Sequence, residues 1–169
     1  MKTAKTPRPG WLWLLLFRAP AWLYRWRCGG LLGHRFLLLI QVGRRSGLRR
    51  YTVLEVIEYR PDGPEGIVIS AFGRNADWLR NIEVTPSFDV VIGRARFSAI
   101  YRRLGEAEAA QALLGYQRRN RPIMPIIRLV LSRFLGWRYD GSERHARRLA
   151  AQLPVIAFRP VGNEAALRY

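Results

Sequence analysis

The segment Gly43–Gly47, followed closely by Arg50, concentrates groups that bind anions. A glycine at each end can adopt positive φ at little steric cost, which lets backbone N–H groups converge on a negative charge. Ser46 adds a hydroxyl, and Arg44, Arg45 and Arg50 add guanidinium groups that match phosphate oxygens. Residues 43–50, called the basic turn below, therefore predict a phosphate site. The alternative interpretation is a solvated hairpin in a protein that is basic throughout.

The glycine spacing of the basic turn is neither that of a Walker loop nor that of a dinucleotide-binding fingerprint, and no helix follows it. The whole chain shares its charge, with 29 Lys and Arg against 12 Asp and Glu, a net +17. Such a charge attracts nucleic acid, an anionic membrane surface or a small phosphate-bearing ligand. No nucleic-acid-binding module and no aromatic stacking platform is evident, so no specific nucleic-acid partner is predicted.

The cysteine and histidine content argues against metal chemistry. Cys28 is the single cysteine, which excludes an intrachain disulfide and a thiolate cluster, and a reducing cytoplasm is the expected location. His34 and His145 lie too far apart in sequence to suggest a zinc site. No metal is predicted.

Residues 1–28 form a basic, tryptophan-rich segment with helical spacing. Its apolar run Trp11–Phe17 is far shorter than the roughly 20 residues of a membrane-spanning helix, and Arg18 interrupts it before any signal-peptide cleavage site. Two interpretations remain open. The segment packs on the core of the domain, or it lies in an anionic lipid interface, which would make the protein peripheral on the inner face of the cell membrane.

Periodicity and turn residues predict an α+β fold around a small antiparallel barrel, with flanking helices and 49% hydrophobic residues to fill one core. Strands are predicted at 36–42, 49–59, 66–71, 88–92, 96–104 and 155–158, and helices at 76–84, 106–119, about 126–135 and 142–152. Asn75 is expected to cap the first helix, and Ser142 the last. Trp78, Leu79 and Ile82 are expected to face inward.

Several motifs in order resemble the deazaflavin-dependent nitroreductase family of split β-barrel oxidoreductases. They are Gly33–Phe36 with Leu37–Leu39, the basic turn with Leu54, Ser70–Gly73, Asp77–Asn81, Pro86, Gly93 and Leu153–Pro160. The likeness covers roughly residues 29–160. Its most specific parts are the basic turn and the pair Trp78 and Asn81.

The resemblance implies a six-stranded antiparallel split β-barrel that binds the deazaflavin coenzyme F420 and transfers hydride to an electron-poor small molecule such as a quinone or nitro compound. It implies phosphate binding by Arg44, Arg45, Ser46, Gly47 and Arg50, a deazaflavin ring bordered by Ser70, Ala71, Phe72 and Gly73, and Trp78 and Asn81 beside the cofactor. No catalytic residue is assigned. Tyr51 and Tyr101 are candidates, because a phenol can donate a hydrogen bond or proton to a substrate oxygen.

Two departures from the family pattern keep alternatives open. Residues 73–77 replace a longer segment with two glycines and a proline, and the proline expected around Val53 is missing. FMN therefore stands as the alternative cofactor, and a basic membrane-surface protein without catalysis as the alternative function. The predicted organisation is segment 1–28, a split-barrel domain at 29–160 with a basic helical insertion at about 115–141, and a tail at 161–169. Monomer and homodimer both remain open.

Overall fold

The computed structural model of this chain describes residues 33–162 and 167–168. The predictions for segment 1–28 and for Cys28 lie outside these residues. Within them, the strands are Phe36–Val42 (β1), Arg49–Arg60 (β2), Glu65–Ile69 (β3), Phe88–Ile92 (β4), Ala95–Arg103 (β5), Val155–Pro160 (β6) and Leu167–Arg168 (β7). The α-helices are Asp77–Val84 (α1), Glu106–Arg119 (α2), Met124–Leu135 (α3) and Glu143–Gln152 (α4), with 3-10 turns at Gly73–Asn75 and Arg121–Ile123.

The sheet closes on itself. Its strand order is β4-β1-β2-β3-β6-β5-β7, and β4 also pairs with β5, so β1 to β6 form a six-stranded barrel in which every pairing is antiparallel. The short β7 pairs with the start of β5, within the segment predicted as a tail. The predicted α+β six-stranded antiparallel barrel with flanking helices is confirmed.

The barrel interior follows from the alternation of side chains along each strand. In β1, Leu37 and Leu39 are fully buried and Gln41 is 2% exposed, so these three positions face inward. Helix α1 closes this interior with Trp78, Leu79 and Ile82, the three residues predicted to face inward. This packing anchors α1 next to the basic turn.

A second apolar cluster lies outside the barrel and joins α2 and α4 to the strands. Ile57 and Ile67 from the sheet pack with Ala109, Leu113 and residues of α4. Small alanine side chains on α2 permit a close approach of the helix to the sheet. No helix among the described residues is long and apolar enough to cross a membrane.

Two local predictions were wrong. Asn75 does not cap α1, because it belongs to a 3-10 turn that begins at Gly73 (φ 65°), and Ala76 takes the N-cap position without a side-chain hydrogen bond. The predicted strand 66–71 ends at Ile69, since Ser70 already bonds within the following turn. The predicted cap at Ser142 is confirmed, with its Oγ accepting from the His145 amide at 3.3 Å.

Candidate cofactor-binding site

The basic turn connects β1 to β2 beyond their last pair, Val42 with Arg49. The Gly43 amide donates to the Leu48 carbonyl at 2.8 Å, and the Gly47 amide donates to the Gly43 carbonyl at 2.8 Å. Gly47 has φ 65°, a conformation that disfavours any residue with a Cβ. The turn is therefore closed by its own backbone, which leaves its side chains available for other contacts.

Arg44 ties the basic turn to helix α1. Its Nη2 lies 2.8 Å from Asp77 Oδ1, and both its Nη1 and its backbone amide donate to Asn81 Oδ1, at 2.9 and 3.2 Å. The Arg44 side chain is only 14% exposed, and Asn81 is 6% exposed. The structure therefore brings two predicted cofactor ligands, Arg44 and Asn81, together. Each binds the other, and together they fix the position of the turn.

The remaining predicted phosphate ligands lie exposed on this fixed turn. Arg50 Nη2 donates to Ser46 Oγ at 3.4 Å, and among the described residues neither Arg45 nor Arg50 forms an ion pair. A Cβ on Gly43 would come within 2.7 Å of Ser46 Oγ and 3.3 Å of Arg50 Nε. The glycine therefore allows Ser46 and Arg50 to lie directly over the backbone. Arg45, Ser46 and Arg50 on this turn, together called the cradle below, combine positive charge with hydrogen-bond donors.

The sequence analysis did not single out Gln41 within the predicted strand 36–42. Its Nε2 donates to Thr52 Oγ1 at 3.2 Å, whereas its buried Oε1 has no hydrogen-bond partner among the described residues. Gln41 pairs with Arg50 across the two strands, so both side chains project from the same face. A single polar residue at an inward position of an apolar strand was the available signal.

The segment Ser70–Gly73 leads from β3 toward α1, and its members have different surroundings. Ser70 is fully buried, its Oγ donates to the Gly73 carbonyl at 2.7 Å, and the Gly73 amide returns a bond to the Ser70 carbonyl at 2.8 Å. Ala71 and Phe72 are exposed, and the Phe72 ring meets that of Phe134 edge-on at 6.4 Å. Ser70 and Gly73 shape the turn, while Ala71 and Phe72 present the accessible surface.

Three aromatic candidates lie apart from the cradle. Trp78 is 7% exposed and packs against Phe158 at 6.1 Å between ring centroids, which holds α1 on the barrel. Tyr101 packs against the Phe88 ring at 6.2 Å. Tyr51 is exposed, but it neighbours Arg50 in β2 and therefore projects from the opposite face. A catalytic role for either tyrosine stays a prediction.

Comparison with known proteins identifies one matching family. The model of the family described as F420H(2)-dependent quinone reductase matches residues 16–123. No curated protein matches this chain.

Solved structures with similar folds have low sequence identity to this chain. The structure of an F420-H2 dependent reductase (FDR-A) is 16% identical, covers 76% of this chain and 96% of its own, and has a TM-score of 0.48. The protein Atu2129 from Agrobacterium tumefaciens str. C58, of unknown function, is 17% identical over 96% of this chain and 60% of its own, with a TM-score of 0.50. A pyridoxamine 5'-phosphate oxidase-related, FMN binding protein from Nostoc punctiforme is 15% identical over 93% of this chain and 83% of its own, with a TM-score of 0.39. At 17% identity, the likeness to Atu2129 concerns the fold alone.

Proposed function

This chain belongs to the F420H(2)-dependent quinone reductase family, and on that premise we propose that it binds coenzyme F420 with the coenzyme's phosphate on the basic turn and reduces a quinone. One observation carries the proposal. Within residues 33–162, Arg45 and Arg50 lie exposed and without a carboxylate partner on a turn that Arg44 fixes to α1. Unpaired guanidinium groups on a fixed turn are suited to bind a phosphate, because the backbone loses little conformational entropy on binding.

The residues present fit a phosphate-bearing coenzyme. The cradle at Gly43 excludes a Cβ, and Ser46, Arg45 and Arg50 form a donor set for phosphate oxygens. Among the described residues, Asp77 is the carboxylate that contacts the turn, and Arg44 neutralises its charge.

The chain's own contribution is binding and orientation. Bound F420H2 supplies the hydride, so neither a metal nor a reactive cysteine is needed. Arg45 and Arg50 hold the phosphate end, and the exposed Ala71 and Phe72 border the ring. The apolar Phe72 side chain, in contact with Phe134, helps exclude water from that border.

The acceptor is proposed to be a quinone, following the family's description, with a nitro compound as the second candidate. FMN also carries a phosphate that the basic turn would suit, so it is the competing cofactor. A cytoplasmic location and a monomeric or homodimeric state, as predicted from the sequence, belong to the same proposal.

A fluorescence titration tests the proposal. The purified full chain is titrated with oxidised F420, reduced F420 and FMN, and consumption of F420H2 is then followed with a soluble quinone and with a nitroaromatic compound. We expect saturable binding of F420 that weakens about tenfold in Arg45→Ala and in Arg50→Ala, since each loses charge-assisted bonds to phosphate.

Arg49→Ala is the matched control. It removes the same charge one residue from Arg50, on the opposite face of β2, and its affinity should stay close to that of the unmodified chain. Equal weakening in all three variants would show that only overall charge matters. Binding of FMN without binding of F420 would overturn the cofactor assignment.

A further inference from the structure

A second group of arginines lines a cavity that shares no residue with the cofactor site. The cavity has a volume of about 290 Å³ and lies between α2, α3 and Gly141. Arg118 comes from α2, Arg121 from the following 3-10 turn and Arg128 from α3. Three consecutive segments therefore direct guanidinium groups to one cavity.

In the part of the chain that the structure describes, no acidic side chain balances this charge. None of the lining residues is Asp or Glu, and none of the three arginines forms an ion pair within residues 33–162. Like charges held around one cavity repel each other, and an anion between them would remove that repulsion. The charge of the cavity therefore points to an anionic ligand.

Polar groups joined by hydrogen bonds form the back wall of the cavity. Gln117 is 7% exposed, and its Nε2 donates to Tyr139 Oη at 3.1 Å and to the Gly141 carbonyl at 3.3 Å. These two bonds turn Gln117 Oε1 toward Arg128, whose Nη2 donates to it at 3.4 Å. Burial raises the pKa of Tyr139 to about 12, so the phenol stays neutral in this wall. Gln117 thus orients Arg128.

Gly141 is required for this arrangement. It has φ 82°, and a Cβ there would lie 2.2 Å from Gln117 Oε1 and 2.6 Å from Arg128 Nη2. Both distances are far below van der Waals contact, so another residue would displace the wall. The backbone of Gly141 therefore lies directly against two polar side chains of the cavity wall.

Size and lining define the ligand class. A volume of about 290 Å³ is at the lower end of the range for small-molecule pockets, too small for a whole deazaflavin coenzyme. Leu114, Met124 and Pro125 give the cavity an apolar side that suits a few carbon atoms. We propose that this cavity binds the phosphate group of a small phosphate ester, with the arginines on the phosphate and the ester carbons against the apolar side.

Two kinds of ligand contain such a phosphate group: a free phosphate ester and a phospholipid head group. The lipid source has to be tested because Ile126 and Leu129 on α3 are 66% and 71% exposed beside the cavity. The experiment uses the ¹⁵N-labelled full chain and follows the side-chain amide of Gln117 and the backbone amide of Gly141. The probes are inorganic phosphate, glycerol 3-phosphate, and vesicles of phosphatidylglycerol or phosphatidylcholine.

We expect saturable shifts of both signals with glycerol 3-phosphate, and affinity at least tenfold weaker in Arg118→Gln/Arg121→Gln. Both side chains are exposed, so the fold should be retained. Arg133→Gln/Arg138→Gln removes the same charge from exposed positions outside the cavity and should bind normally. In Arg45→Ala/Arg50→Ala, glycerol 3-phosphate should shift these two signals as it does in the unmodified chain. This result would separate the cavity from the basic turn.

Shifts that appear only with phosphatidylglycerol vesicles, and are lost in the Arg118/Arg121 variant alone, would assign the phosphate to a lipid head group. Shifts with the soluble esters would assign it to a free molecule. The proposal is overturned if no probe shifts the two signals, or if the control pair loses as much affinity as the cavity pair.

Discussion

Two regions of this molecule use arginine in opposite ways. At the far end of β2, Arg60 and Arg102 are surrounded by the carboxylates of Glu58, Glu65 and Glu108, a group called the ion-pair network here. In the basic turn, Arg44 is paired, whereas Arg45 and Arg50 have no carboxylate partner among the described residues. The first region supplies its own counter-charges, whereas the second has two arginines without a counter-charge among the same residues.

The geometry of the ion-pair network is that of a structural element. Arg60 lies 3.0 Å from Glu65 and 2.8 Å from Glu108, and Arg102 lies 3.0 Å from Glu65 and 2.8 Å from Glu108. Hydrogen bonds from Arg102 and Arg60 lower the pKa of Glu108 to about 2. The network joins β2, β3, β5 and α2. Arginine pairing therefore distinguishes residues that hold the fold from residues that are free to bind.

The largest expected effect on stability comes from Glu65→Gln. Glu65 is 8% exposed and accepts bonds from both Arg60 and Arg102, so the change removes the more buried of the two carboxylates that these guanidinium groups share. We expect the free energy of unfolding, measured by urea denaturation, to fall by about 2 kcal/mol. F420 affinity should not change.

Glu143→Gln is the control for this comparison. It breaks the exposed pair with Arg147 and should change stability by less than about 0.5 kcal/mol. Similar losses in the two variants would mean that the ion-pair network is no more important than a surface pair.

A smaller effect, shared between stability and binding, is expected for Asn81→Ala. The change removes the acceptor of two Arg44 bonds but leaves the Arg44 pair with Asp77. We expect a loss of about 1 kcal/mol in unfolding free energy and a weakening of F420 binding by about fivefold, because the basic turn becomes less fixed. Denaturation and titration of the same preparation measure both. Weakened binding without any loss of stability would indicate direct contact between Asn81 and the cofactor.

The smallest expected effect is a pH dependence from Glu108. Its pKa is lowered from 4.5 to about 2 in the folded protein, so its stabilising contribution is present above about pH 4.5 and is lost as the pH falls toward 2. The side chain is 35% exposed, which screens the interaction and leaves about 0.5 kcal/mol. The difference in unfolding free energy between the unmodified chain and Glu108→Gln should therefore shrink between pH 5 and pH 2. A difference that stays constant over this pH range would contradict the expected contribution of Glu108.

Local patterns in the sequence were sufficient for the framework of the fold. The strand at 36–42, the basic turn and the helix at 106–119 were predicted at their observed positions, because each depends on neighbouring residues. The order of motifs then indicated the family. The barrel itself follows from the antiparallel hairpins that these patterns predict.

The partners of the arginines could not be read from the sequence. Arg44 and Asp77 are separated by 33 residues, and Arg102 and Glu65 by 37, so only the closed barrel brings each pair together. From the sequence, Arg44, Arg45 and Arg50 were predicted to be phosphate ligands without any distinction among them. The structure gives Arg44 a different position from Arg45 and Arg50, and reveals the unpartnered Gln41 Oε1.

The most direct test of the central claim compares F420 with a ligand that lacks the coenzyme's phosphate and tail. F420 and the same deazaflavin without its phosphate and tail are titrated into the unmodified chain and into Arg45→Ala/Arg50→Ala. We expect the double variant to bind F420 about 100-fold more weakly and to bind the phosphate-free deazaflavin with unchanged affinity. Equal losses for both ligands, or no loss for F420, would contradict the assignment of the phosphate to the basic turn.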